Sequence, residues 1–184
     1  MAQSWRVKPQ RHKKPRPPLD EEALEPLALF YVGRYATTKA KLSSYLSRKM
    51  QERGWTGRGP APITALVGAF SERGYIDDGA FASARAAALQ RHGYGERRVA
   101  QALYAAGIAA EDAAAAREQS RGGAFAAALR FAERRRVGPF AARELHRGAK
   151  REGFGAMMRA GHSLDLTRLI LDARPGEVPD SDSV

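Results

Sequence analysis

The sequence contains no cysteine and no long apolar run. Without cysteine the chain forms neither disulfides nor thiolate metal sites, which fits a protein of the reducing cytoplasm. Without an apolar run of about 18 residues, it has no segment that would span a membrane. The basic stretch from Arg6 to Arg16 leads into PRPPLDEEALEP rather than an apolar segment, so no secretory signal peptide is expected. We therefore predict a cytoplasmic protein.

β-Branched residues are also scarce and scattered, so no segment is suited to building a sheet. Alanine, leucine, arginine and glutamate dominate, and apolar residues recur at the three- and four-residue spacing of a helix face. Gly54 is predicted to end the second helix. The fold class is therefore predicted to be all-α, with helices that begin at residues favoured as N-caps: Asp20, Thr38, Asp77 or Asp78, and Ser163.

Positive charge is in large excess. The chain has 31 Lys and Arg residues against 20 Asp and Glu residues, which gives a net charge of +11. Residues 1–18 hold six cations and no acid, and residues 121–153 hold nine cations against three acids, whereas 172–184 is acidic. Such a surplus favours an anionic partner, above all nucleic acid or a nucleoprotein.

One helical pattern recurs three times. Two apolar residues four positions apart precede a glycine, and a large apolar residue follows it. The glycines assigned to this pattern are Gly54, Gly107 and Gly153, which are 53 and then 46 residues apart. A period of this size is typical of helical arrays, in which each unit buries its apolar face against its neighbours. A plain helical bundle with chance similarity between its helices is the alternative.

We predict an elongated tandem array of three three-helix repeats, at 20–76, 77–120 and 121–172. A basic disordered arm, 1–19, is expected before them, and an acidic disordered tail, 173–184, after them. In the third repeat, one helix is predicted from about Phe140 to Arg151. A short helix over GAMMRA and a last helix after Ser163 are predicted to follow it.

The stretch GYIDDGAFA contains the adjacent carboxylates of Asp77 and Asp78. Paired aspartates can bind a metal or perform acid–base catalysis, but no histidine lies within the ten residues before this pair. An aspartate at an N-cap accepts hydrogen bonds from the first helical turn, and a second acid there interacts favourably with the helix dipole. We therefore interpret the pair as the start of a helix.

No other motif predicts a catalytic, metal or cofactor site. The four histidines lie in different predicted elements and lack the spacing of zinc ligands. GYGERR and GRGP begin like phosphate-binding loops, but neither follows a strand nor continues the motif, so both are interpreted as turns. We therefore predict that the protein is not an enzyme and needs no metal or cofactor.

Cationic side chains recur on comparable helices of the predicted repeats. In the third repeat, Arg143, Arg147, Lys150 and Arg151 are predicted to form one stripe on the helix that starts at Phe140. Solvation of an ordinary basic surface is the alternative to binding. The candidate residues for contact with a partner or with DNA are Lys41, Arg48, Arg97, Arg98, Arg130, Arg134, Arg143, Arg147, Lys150 and Arg151.

Three segments together resemble the RecX family of bacterial recombination regulators: ALFYVGRYATTKAKLSSYLSRKMQERGW, GYIDDGAFA and GYGERRVAQALYAAGI. The resemblance covers about 24–172, and ALRFAERRRVGPF is similar to a subgroup of the family. The basic arm and the acidic tail lie outside it. The junction positions that match the family motif are interpreted as architectural: Gly74, Tyr75, Asp77, Asp78 and Phe81.

The resemblance implies a modular, elongated, all-helical protein that binds the RecA recombinase and its filament on single-stranded DNA. It further implies inhibition of ATP hydrolysis and strand exchange in recombination and the DNA-damage response, with direct DNA contact as an additional expectation. We expect a monomer. A basic helical-repeat protein that binds nucleic acid directly is the alternative, and it would bind DNA alone with a steep salt dependence.

Overall fold

The computed structural model describes residues 16–180. Within that range the chain forms nine α-helices and one short 3-10 helix, Gly138–Phe140, and the only β-type pairing is an isolated bridge between Leu19 and Trp55. The predicted all-α fold class is confirmed. The helices are α1 Glu21–Arg34, α2 Lys39–Arg53, α3 Ile63–Glu72, α4 Asp78–Arg91, α5 Glu96–Ala105, α6 Ala114–Gly122, α7 Ala124–Arg135, α8 Arg147–Ala160 and α9 Leu164–Asp172.

Helices α1, α2, α4 and α9 begin at the positions predicted from their N-cap residues. Each cap side chain accepts a hydrogen bond from the backbone N–H three residues later, which satisfies one of the free donors of the first turn. The Asp20 carboxylate accepts from Ala23 at 2.9 Å, and the Asp77 carboxylate accepts from Ala80 at 2.7 Å. Thr38 caps α2 and Ser163 caps α9 in the same way.

Each set of three consecutive helices encloses its own apolar core. We call these sets the first unit (α1–α3), the second unit (α4–α6) and the third unit (α7–α9). Because each unit has its own core, the predicted grouping of helices by threes is confirmed. The buried apolar side chains include Leu24, Leu42, Leu46 and Phe70 in the first unit, Val99, Leu103 and Ile108 in the second, and Phe131, Met157, Ile170 and Leu171 in the third.

The middle helices of successive units meet end to end. The Thr38 hydroxyl, at the start of α2, donates to the carbonyl of Ala106 at the end of α5, at 2.7 Å. The Gly95 N–H, at the start of α5, donates to the carbonyl of Ala160 at the end of α8, at 2.9 Å. The last carbonyls of a helix have no partner within it, so each junction satisfies groups that would otherwise face water.

Glycines permit the close backbone approach at these junctions. A Cβ atom on Gly95 would overlap the carbonyl of Gly161, and one on Gly107 would overlap the Cβ of Ala40. Gly107 and Gly161 also have positive φ angles of 71° and 92°, which favour glycine. The turn predicted for GYGERR is therefore the surface that contacts the third unit.

The prediction for the third repeat is wrong in its register. Residues 141–146 are not helical, α8 begins only at Arg147, and the GAMMRA segment is the continuous second half of that helix. Gly153 lies buried inside α8, and the glycine that ends the helix is Gly161. The equivalent helix ends are therefore Gly54, Gly107 and Gly161, which are 53 and 54 residues apart.

The segments that flank the units differ in part from the predicted boundaries. Leu19 is fully buried, and its N–H donates to the carbonyl of Gly54 at 3.0 Å, so the end of the predicted arm packs on the first unit. Gly176, in the predicted tail, donates to the carbonyl of Pro139 at 2.8 Å. Helix α6 ends at Gly122, so the boundary predicted after residue 120 falls within its last turn. The predicted disorder of 1–15 and 181–184 concerns residues outside the described range.

None of the helices within 16–180 has both the length and the apolar character of a membrane span. In the same range, no group of three or more histidine, aspartate or glutamate side chains is arranged to hold a metal ion.

Candidate interaction surface

The two carboxylates of the GYIDD stretch have different partners. Asp77 caps its own helix, whereas Asp78 is only 4% exposed and accepts a hydrogen bond from the backbone N–H of Lys39 in the first unit, at 3.0 Å. Phe81 packs against the core of the second unit, and Gly74 has a φ of 74° in the turn before α4. Tyr75 is half exposed beside Phe70. These contacts support an architectural role for the motif.

A second polar contact reinforces the junction between the first two units. The Lys39 ammonium lies 3.0 Å from the Asp112 carboxylate, and both side chains are partly exposed. The hydrogen bond to Asp112 raises the pKa of Lys39, although partial burial acts in the opposite direction. Asp78 and Asp112, both in the second unit, therefore fix the first turn of α2 from two directions.

A cationic groove crosses the first two units. Two adjoining depressions share Lys41 from α2 and the end of α5, and no carboxylate lines either of them. Within the described residues, neither Lys41, Arg85 nor Arg98 has a carboxylate within 4.0 Å, and Arg48 pairs with Glu52 at 3.6 Å. We call this surface the aromatic–basic groove, and its cations are Lys41, Arg48, Arg85 and Arg98.

Aromatic rings line the same groove. Tyr31 and Tyr45 stack on each other with centroids 4.2 Å apart and planes at 17°. Tyr104 projects from α5 beside this pair and is 83% exposed. Aromatic side chains are usually at least partly buried, so this exposure is unusual. Phe81 and Tyr94 line the depression on the other side of Lys41.

Cations and rings are paired along the groove. The Lys41 ammonium lies 4.6 Å from the centre of the Phe81 ring, and the Arg48 guanidinium lies 5.8 Å from that of Tyr45. The Arg98 guanidinium lies 6.0 Å from the Tyr94 ring. These distances permit cation–π attraction, which holds each charge beside an aromatic face.

The sequence-predicted cations are distributed over several surfaces. Lys41, Arg48 and Arg98 meet in the aromatic–basic groove. Arg97 instead lies at the junction with the third unit, where its guanidinium donates to the carbonyl of His162 at 3.4 Å. Arg130 and Arg134 are exposed on α7, in the third unit, and neither lines the groove.

The predicted four-residue stripe in the third unit is wrong. Arg143 lies in the non-helical segment before α8, so it does not share a helix face with the other three residues. Arg147, Lys150 and Arg151 do lie in the first turns of α8, and the Lys150 ammonium is 3.5 Å from the Asp172 carboxylate. The error follows from the start of α8, which is capped by the imidazole of His146 rather than by a residue typical of N-caps.

Sequence reasoning missed Arg85 and the aromatic side of the groove. Arg85 lies four residues after Phe81 on α4, within an alanine-rich run that gave no charge pattern. Tyr104 follows Leu103, and its exposure was a detectable signal because the row of Val99 and Leu103 already fills the buried face of α5. The pairing of Tyr31 with Tyr45 joins α1 to α2 and had no local signal.

The junction between the second and third units contains a buried histidine. The His162 side chain is 1% exposed, and its Nε2 atom lies 3.1 Å from the carbonyl of Gly93. The Phe131 ring packs edge-on against the imidazole, and the Nδ1 atom has no hydrogen-bond partner among the described residues. Burial lowers the pKa of His162, although the hydrogen bond to Gly93 partly opposes the effect.

Two curated relatives match nearly the whole chain. The Regulatory protein RecX of Myxococcus xanthus (strain DK1622) is 32% identical over 174 residues, which cover 89% of this chain and 91% of the relative. The Regulatory protein RecX of Agrobacterium fabrum (strain C58) is 30% identical over 157 residues, which cover 83% and 84%. Residues 77–116 match the family model described as RecX, second three-helix domain.

Solved structures agree in fold. The crystal structure of RecX from Lactobacillus salivarius superposes with a TM-score of 0.63 at 15% identity and covers 80% of this chain and 92% of its own. A second structure, of the regulatory protein RecX, gives a TM-score of 0.60 at 18% identity and covers 82% and 73%. The likeness to these structures concerns the fold, whereas the identity to the curated relatives establishes the relationship. The chain belongs to the RecX family of regulatory proteins.

Proposed function

We propose that the protein regulates a RecA recombinase by binding its filament on single-stranded DNA, and that it inhibits ATP hydrolysis and strand exchange. The observation that carries the proposal is 32% identity to a RecX regulatory protein over 89% of the chain. In this role it acts in recombination and the DNA-damage response, as a cytoplasmic monomer without a catalytic residue, metal or cofactor.

The distribution of charge supports an anionic partner. A filament of recombinase and DNA presents phosphate groups, and cations on the regulator would accelerate encounter and make binding depend on salt. Lys41, Arg48 and Arg98 are our first candidates for this contact because they share one groove without lining carboxylates. The remaining candidates form separate exposed groups: Arg97 at the second junction, Arg130 and Arg134 on α7, and Arg143, Arg147, Lys150 and Arg151 around the start of α8.

The experiment measures ATP hydrolysis by a bacterial RecA on single-stranded DNA while the regulator is titrated. We expect inhibition by the wild-type protein. Replacing Lys41, Arg48 and Arg98 together with alanine should weaken inhibition at least tenfold, about 1.4 kcal/mol in binding, and flatten its dependence on salt.

The matched control replaces Arg91, Arg117 and Arg168, which are exposed and lie outside the groove, and so removes the same charge. The control variant should retain inhibition to within about twofold. Equal losses in the two variants would assign the effect to net charge rather than to the groove. No inhibition by the wild-type protein at any concentration would refute the proposed regulation.

Direct nucleic-acid binding is the second candidate function, and the net charge of +11 favours it. The two functions separate when the protein is titrated into labelled single-stranded DNA with and without recombinase. A filament regulator should bind the recombinase–DNA complex far more tightly than bare DNA. A simple DNA-binding protein should bind bare DNA as tightly, with a steep loss of affinity as salt rises.

A further inference from the structure

We propose that the aromatic–basic groove is a binding site for single-stranded nucleic acid, in which an unpaired base stacks on Tyr104. The inference rests on direct nucleic-acid binding, the second candidate function, and deepens it by naming the site, the class of nucleic acid and the mode of contact. It depends on aromatic rings and cations that occupy one surface, where Tyr104 is largely exposed and where neither Lys41 nor Arg98 has a carboxylate partner among the described residues.

Tyr104 exposes its aromatic ring on the surface of the groove. Its ring is 83% exposed on α5, so it contributes little to the core formed by its neighbour Leu103, which is fully buried. The stacked pair of Tyr31 and Tyr45 lines the same depression. An exposed ring beside a rigid stacked pair offers a flat face that any of the bases can stack on.

Positive charge surrounds these rings. A single strand carries one phosphate and one base in each nucleotide, so a site for it needs cations interleaved with aromatic faces. Here Lys41 lies between the two depressions, Arg48 flanks Tyr45, and Arg98 flanks Tyr94. No acidic side chain lines the groove to repel a phosphate.

The groove is large enough for a nucleotide, and bonds between the units hold its walls. The depressions have volumes of about 750 and 520 Å³, within the range of ordinary ligand sites. Their walls come from α1 and α2 of the first unit and from α4 and α5 of the second. The bonds of Thr38 and Lys39 across the junction hold α2 against the second unit. A duplex would keep its bases stacked internally and could not use the Tyr104 face, so the site favours single strands.

The experiment measures fluorescence anisotropy of a labelled oligothymidine of about 20 nucleotides with the full-length protein and no recombinase. Tyr104→Ala should weaken binding roughly fivefold or more, as expected when one base–aromatic stack is lost, and Tyr104→Phe should bind like wild type. An oligonucleotide of the same length with abasic sites should bind more weakly to wild type and should not distinguish Tyr104→Ala from it.

The control is Phe30→Ala, which removes a ring that is 61% exposed on α1 and lies outside the groove. It should leave affinity unchanged, and circular dichroism should give the same helical content for all variants. Replacing Lys41 and Arg98 with alanine should reduce the salt dependence, whereas Tyr104→Ala should not.

Three results would overturn the inference. The first is wild-type affinity in Tyr104→Ala with a loss in the Lys41 and Arg98 variant, which would indicate phosphate contact without stacking. The second is equal affinity for duplex and single strand. The third is no binding of the oligonucleotide alone, which would indicate that the groove binds an acidic protein surface instead of nucleic acid. The absence of recombinase separates each of these outcomes from a failure of the proposed regulation.

Discussion

His162 is the residue whose environment most directly links protonation to the junction between units. Its buried Nε2 atom hydrogen-bonds to the Gly93 carbonyl, which requires the proton on that nitrogen, and the Nδ1 atom has no partner in the described chain. A second proton on Nδ1 would place a charge in a site without a carboxylate bonded to it. Burial therefore lowers the pKa of His162 in the folded protein.

We predict that acid selectively weakens the wild-type protein through His162. The folded-state pKa lies below the unfolded value of about 6.5, so the unfolded chain binds the proton more readily. The contribution to stability is fully present above about pH 6.5 and is lost as the pH falls through the folded-state pKa. Urea unfolding at about pH 7.5 and about pH 5.5 should show a larger loss of free energy of unfolding in wild type than in His162→Gln.

The control for this prediction is His92→Gln, since His92 is exposed at the end of α4. That variant should show the same pH dependence as wild type. If His162→Gln also follows wild type across this range, the buried imidazole does not control the acid response.

Asp77 and Asp78 illustrate what sequence alone reveals about single residues. The capping role of Asp77 was predictable because it depends on a backbone N–H only three residues away. The role of Asp78 was not, since its partner, the backbone of Lys39, is 39 positions earlier in the chain. Tyr31 and Tyr45 show the same limit, because their stacking depends on how α1 packs against α2.

At the scale of elements, the ends of the middle helices carry the junctions between units. Gly95 is required for its lack of a side chain, because a Cβ there would overlap the backbone of Gly161 and His162. Its φ of −81° is accessible to any residue, so the constraint is the space between two helices rather than the local backbone.

We predict that Gly95→Ala lowers the free energy of unfolding by about 1–3 kcal/mol through overpacking at the second junction. The matched control is Gly33→Ala in α1, where a Cβ would meet no atom within 4 Å. That change should be neutral or stabilise the protein by about 0.5–1 kcal/mol, because alanine favours the helix. Chemical denaturation of both variants measures the difference, and equal stabilities would mean that the junction adapts without cost.

Helix boundaries could be predicted where a recognised cap or a C-terminal glycine marks them, as at Asp20, Gly54 and Ser163. The start of α8 could not, because a histidine caps it and the preceding segment 141–146 has the composition of a helix. Gly153 then resembled a helix end, although it lies inside α8 where Leu171 packs against it. In an alanine-rich sequence, the repeats can be aligned with one another in several ways that all place a small residue at each core position. An incorrect alignment of the third repeat is therefore hard to recognise from the sequence.

At the scale of the molecule, the three units are connected in a line. Hydrogen bonds and the Lys39–Asp112 ion pair join the first unit to the second, and hydrogen bonds join the second to the third. Within 16–180, no hydrogen bond or ion pair joins the first unit to the third. Each unit therefore depends on its neighbours alone, as in other repeat proteins.

We predict that the molecule is elongated in solution. Small-angle scattering should give a radius of gyration above about 16 Å, the value expected for a compact domain of 184 residues. Because the arm also contributes to scattering, a chain lacking residues 1–15 should be measured alongside it. A value near 16 Å for both chains would contradict a linear arrangement of units.

The end-to-end contacts of α2, α5 and α8 also imply that the array has no fixed length. The second unit has both kinds of contact surface. Near Gly95 it packs against the end of α8, and near Gly107 it packs against the start of α2. A duplicated second unit would place Gly95 against a second copy of Ala106 and Gly107, small residues in each case. Gene duplication could therefore lengthen such a protein, and with it the stretch of partner that it spans, without a new interface having to evolve.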